Sequence, residues 1–195
     1  MANEVRRKYG TPICFCVSAS LSPADPATDM RPEGSSPTNL ALTGNALASA
    51  AGRQSIKGDL WGGLTTAPTG FILYGVVDFT GETPSATGRF DYYLAPSVHS
   101  TQANGNIAGN SGADAAAPDG ALGSITLAEF LRQCVFIGSL PTHDGASVQN
   151  GTVTLEGFAL PHYGQLILVN NSGDALENDD VENHQVLIPF VDEVQ

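Results

Sequence analysis

The chain has 195 residues, of which 42% are hydrophobic and only 14% charged, with 22 glycines and 12 prolines. That suits one β domain with a single core, many turns and long loops. The formal net charge of −12 argues against a domain that neutralises nucleic-acid phosphates, which needs clustered Lys and Arg.

Residues 1–12 read as an N-terminal arm carrying Arg6, Arg7 and Lys8, three of the eight basic residues. Ile13 to Val17 is a first strand and opens the domain, residues 13–195. Residues 21–38 hold Pro23, Pro26, Pro32 and Pro37, a density that no helix or central strand survives, so this is an extended excursion. Residues 39–52 are rich in small side chains and ambiguous. A strand-like stretch runs from Arg53 towards Leu60. Trp61 follows beside Gly62 and Gly63, and reads as a core or interface anchor; an exposed Trp there would instead stack on a sugar. Residues 70–80, GFILYGVVDFT, are the clearest strand, β-branched and aromatic between turn residues. Residues 89–94 are expected as its antiparallel neighbour, with 81–88 as the hairpin loop.

Residues 97–123 form a long Gly/Ala/Asn tract, whose order is expected to come from a packed assembly around it. Thr126-Leu127-Ala128-Glu129 fits a capping box and opens the one credible helix, about residues 127–133. Strands follow at 134–138 and 151–155. Residues 158–176, FALPHYGQLILVNNSGDAL, give a stop, a buried strand at 166–169 and a turn; a last strand spans 186–191. The fold expected is all-β, an antiparallel, jelly-roll-like sandwich of roughly eight strands. From Gln133 to Gln195 there is no Lys or Arg but there are nine acids. The arm's cations are therefore expected to meet carboxylates of a neighbouring copy or of another protein, or else to form a solvated tail.

Signals for chemistry are sparse. Cys14, Cys16 and Cys134 make no disulfide framework and lack zinc spacing, so buried thiols are expected. There is no phosphate loop, dinucleotide fingerprint or zinc-protease helix. Residues 109–113, GNSGA, fall one glycine short of a nucleophile elbow. His99, His143, His162 and His184 are scattered, and His143-Asp144 sits in a Gly-flanked turn. Asp174, Glu177, Asp179, Asp180 and Glu182 match no EF-hand, and read as a solvated or arm-binding acidic loop more than a cation site. The expectation is no catalytic residue, no metal and no cofactor. The polar start has no apolar signal region, and no apolar run is long enough to span a bilayer, so synthesis in a cytoplasm and no membrane partner are expected. The sequons at Asn150 and Asn170 then read as turn chemistry.

Taken together, MANEVRRKYGT, ASAAGRQSIKGDL, FILYGVVDFTGETPSATGRFDYYLA, LRQCVFIGSL and ALPHYGQLILVNNSGDAL resemble small structural proteins of tailed bacteriophages. The pattern covers about two thirds of the chain and departs at residues 21–50. The resemblance implies a non-enzymatic virion protein with a jelly-roll-like domain. Its roles would be capsid decoration (cement), a neck or collar component, or the base of a fibre. It also implies the major capsid protein or a head–tail connector protein as partner, and self-association, with a trimer expected. The rival readings are a carbohydrate-binding sandwich, marked by an exposed aromatic platform, and a hydrolase with a dispersed site.

Overall fold

A computed structural model describes residues 4–17, 37–120, 122–178 and 182–194. The strands in chain order are β1 (Val5–Tyr9), β2 (Ile13–Cys16), β3 (Thr38–Ala41), β4 (Gly52–Gln54), β5 (Gly58–Asp59), β6 (Gly70–Asp78) and β7 (Arg89–Ser97). They continue with β8 (Ala115–Ala116), β9 (Val135–Pro141), β10 (Val148–Glu156), β11 (Tyr163–Asn171) and β12 (His184–Val194). One helix, α1 (Leu127–Leu131), follows β8. The strands form two sheets. The first has the order β10-β6-β12-β2-β3, with β1 also on β12; the second has the order β8-β4-β11-β7-β9, with β5 also on β11. All pairings are antiparallel except β2 with β3. Among β2, β4, β6, β7, β9, β10, β11 and β12 the chain changes sheet at every step but β7 to β9, which is the jelly-roll arrangement.

Alternation builds the core. Phe71, Leu73 and Val77 of β6, with Ile13, Phe15 and Leu187, meet Phe90, Tyr92 and Leu94 of β7 and Leu166 and Leu168 of β11. Each such side chain contributes about 1.5–3 kcal/mol by leaving water. Tyr92 Oη crosses the sandwich to donate to Gln185 Oε1 at 2.8 Å. Gly75 makes room for it, since a Cβ there would lie 2.3 Å from that oxygen.

The expected hairpin between 70–80 and 89–94 is not formed. β6 pairs with β10 and β12, and β7 with β9 and β11. The connector carries the chain from one sheet to the other, so the apolar faces of both strands meet across the core, as at Phe79 and Phe90 (5.9 Å between rings). The stretch from Arg53 towards Leu60 is likewise split into β4 and β5. The arm is no free extension either: Val5–Tyr9 pair with β12. The Pro-rich excursion at 21–38 lies almost wholly outside the described residues.

The helix forms as expected, Thr126 and Glu129 closing a capping box. It joins a third layer. Phe130, Leu127, Leu131, Ile107 and Ala117 pack on Ala95, Ile167 and Val169, the outer face of the second sheet. β11 is thus buried on both sides, which explains its unbroken LILV run.

Candidate interaction surface

The RQSIK segment, residues 53–57, turns out to be the clamp that holds the 97–123 tract. Gln54 and Asn110 exchange two side-chain bonds, at 2.7 and 2.8 Å. Arg53 and Asp114 are 2.8 Å apart, and Thr43 adds two bonds to the same carboxylate, at 2.6 and 3.0 Å. Burial pushes the Asp114 carboxyl up, but the bonds from Arg53 and Thr43 outweigh it and hold it below the ordinary range. Lys57 is 6% exposed, and its ammonium meets Ser97 Oγ (3.0 Å), Asn104 O (2.6 Å) and Asn106 Oδ1 (2.9 Å). Burial lowers its pKa. The order of the tract therefore has a cause within its own chain, where an assembly had been expected to supply it.

Arg6, Arg7 and Lys8 stand on β1, every residue of which is exposed. Their carboxylate partners are in the same chain. Arg7 bonds Asp192 and Glu156, both at 3.0 Å, and its guanidinium lies 3.9 Å from the Phe190 ring centroid. Hydrogen bonds to Asp192 and then to Glu156 hold it still more firmly protonated than usual. Arg6 meets Glu4 at 3.0 Å, and Lys8 meets Glu193 at 3.4 Å. With Glu4, Asp192 and Glu193 counted, the ribbon of β1 and the end of β12 is formally neutral.

Backbone parity shows which way this ribbon is open. Gly10 N donates to Pro189 O at 2.8 Å, so that pair faces inward. Lys8 with Val191 and Arg6 with Glu193 then form the other inward pairs. The backbone groups of Val5, Arg7 and Tyr9 point out of the sheet, and among the described residues nothing pairs with them. Phe190 confirms the parity by facing the other way, its carbonyl accepting from Thr69 N.

Trp61 lies at the root of this ribbon. Its turn binds the chain after β1, Thr11 N donating to Gly62 O at 2.8 Å. Its indole N–H donates to Leu160 O, and its ring, half-buried against the core, stacks on His162 at 4.2 Å. His162 stacks in turn on Tyr163 at 4.3 Å and lies 3.6 Å from Asp59. Sequence reasoning singled out Trp61 but missed the pile of rings, because His162 and Tyr163 are about a hundred residues away in the chain.

At the opposite end of the sandwich are acidic loops. Asp174 accepts from Thr83 N and Ala175 N, which hold its carboxyl below the ordinary range. Asp179 and Asp180 lie outside the described residues. Among the described residues, no three His, Cys, Asp or Glu are grouped to hold a metal ion. His99 and His143 each accept a backbone N–H two residues on, from Thr101 and Gly145. Asn110 and Ser111, in the stretch that resembled a nucleophile elbow, belong to the Gln54 clamp. Ser139, Arg89 and Asn171 all bond Asp91, a structural knot on β7 between β9 and β11. The chain is a jelly-roll sandwich whose first sheet carries β1 as an exposed strand on the end of β12. It matches no family model, and neither a curated protein nor a solved structure matches it.

Proposed function

We propose that this is a non-enzymatic structural protein of a tailed-bacteriophage virion, a decoration (cement) protein that binds the assembled head and stabilises it. The observation that carries the reading is the form of one end of the molecule. The sandwich presents an exposed ribbon whose outer backbone edge is unpaired among the described residues, the kind of element by which β proteins attach to neighbours. The resemblance of the sequence to phage structural proteins supplies the setting. Partners are then the major capsid protein or a connector protein, together with further copies of this chain. A neck, collar or fibre-base position uses the same attachment.

The test is co-sedimentation of the purified protein with heads assembled without it, and with connectors alone. Saturable binding to heads, with a raised temperature of head disruption, is expected. Binding to connectors alone would move the protein to the neck. Absence of binding to either would overturn the proposal.

The ring pile of Trp61, His162 and Tyr163 beside Asp59 favours a second reading, carbohydrate binding. Both faces of His162 are taken by its neighbours, so a sugar would need an outer face of Trp61 or Tyr163. A glycan array on wild type and Trp61→Ala decides it: signal lost in the variant supports the sugar reading, and a blank array removes it.

A further inference from the structure

We infer that the open edge of β1 is a self-pairing site, where β1 of a second copy adds antiparallel across a twofold axis centred on Arg7. The outward backbone groups belong to Val5, Arg7 and Tyr9, which are symmetric about Arg7. Antiparallel pairing in that register sets Val5 opposite Tyr9 of the other copy, twice. These are the exposed apolar residues of the strand, 67% and 53% accessible, and they share one face. A β-branched residue opposite an aromatic is a favourable cross-strand pair.

Charge permits the contact. At the axis the two Arg7 side chains face each other, each already paired with Asp192 and Glu156. On the other face Arg6 would stand opposite Lys8, each with its own carboxylate, Glu4 or Glu193. A basic strand without these partners would repel its copy; the neutral ribbon does not. Pairing would extend the first sheet beyond β1, its outermost strand at this end among the described residues. The interface is isologous, as a twofold contact requires.

Five residues a side bury much less than the roughly 1,200–2,000 Å² of a stable interface. The pairing is therefore weak between free molecules and strong where many copies are held side by side. It rests on the same edge geometry that carries the proposed function, so a copy paired in this way holds the head through another surface.

Register-specific cross-linking tests it. Val5→Cys and Tyr9→Cys are made separately, one with a size tag, and oxidised alone and mixed. In the proposed register the two cysteines of the mixed pair face each other. Identical cysteines are about four residues apart, or ~13 Å, too far for a disulfide. A mixed disulfide at least tenfold above either self-disulfide is expected. Equal yields in all three samples, or none above that of unfolded protein, would overturn the inference. Val5→Pro provides a second readout, because it removes an outward N–H and leaves the pairing with β12 intact. Sedimentation at high concentration should show wild type self-associating and the Pro variant monomeric; the same association in both would also overturn it.

Discussion

Replacing Lys57 with Met tests how the third layer is held. The side chain keeps its length and apolar stem but loses the three bonds to Ser97, Asn104 and Asn106. Two effects oppose each other. Removing a desolvated charge helps; leaving buried oxygens without a donor costs about 1–3 kcal/mol each. Ser97 Oγ keeps other partners, its hydroxyl lying 3.0 Å from Gly105 O and 3.3 Å from Asn104 O, so the loss falls mainly on Asn106 Oδ1. One orphaned, partly buried acceptor and a second left with a longer bond, less the relief of the charge, leave about 1–2 kcal/mol of destabilisation. For a chain of this size that is a fall in Tm of roughly 2–8 °C. Urea unfolding measures it, and limited proteolysis locates it, since the tract 97–123 should become cleavable before the sandwich unfolds. The pH dependence has a definite sign. Lys57 has a lowered folded pKa, so the unfolded chain binds more protons between that value and the ordinary lysine range. Wild-type stability should therefore gain a rising component across that alkaline window, which Lys57→Met lacks. A variant within 0.5 kcal/mol of wild type, with the tract still protected, would show that the ammonium does not hold this layer.

Gln54→Ala leaves the buried Asn110 side-chain N–H without its acceptor, while Asn110 Oδ1 keeps Gly112 N, and should cost about 2 kcal/mol by urea unfolding. Tyr92→Phe removes only the hydroxyl bonded to Gln185, and should cost about 1–2 kcal/mol in the same assay. Asp114→Asn should cost about 1–2 kcal/mol at neutral pH. Because the folded carboxyl titrates below the ordinary range, that stability is present above the unfolded value and lost as pH falls through the folded one, so the gap to wild type should close in acid. Cys134, whose thiol burial pushes up to about 12 from 9.0, should carry about 1,000-fold less thiolate than an ordinary cysteine. Iodoacetamide at pH 8, followed by mass spectrometry, should modify Cys134 of the native protein far more slowly than that of the unfolded chain.

The strands were legible wherever a local signal exists. GFILYGVVD and RFDYYL alternate or run apolar between turn residues, and the capping box of Thr126 and Glu129 marked the helix. Which strands pair was not legible. The loop 81–88 has hairpin composition, yet its strands lie in different sheets, because turn chemistry does not say whether a chain doubles back or crosses a core. The clamp was missed for the same reason. Arg53, Gln54 and Lys57 look like a polar strand in the sequence, and their partners lie some 40–61 residues further on. Only a chain already folded into a sandwich brings the tract within their reach.

The basic arm shows the limit most clearly. Three cations near the start of an acidic chain promise a docking patch, and composition alone offers many acidic partners, in this molecule or another. The register of β1 on β12 supplies partners within the chain: it sets Arg7 opposite Asp192 and Arg6 opposite Glu193 and brings Lys8 within reach of Glu193, balancing the charge in place. Exposed pairs of this kind contribute little stability and are screened by salt. What the cancellation changes is the character of the surface. A patch that would have bound by charge becomes a neutral strand that offers backbone groups and two apolar side chains. Association through such an edge depends on register and shape, so its salt dependence should be slight. Steep loss of self-association between low and moderate salt would mean that the cations act outside the molecule after all.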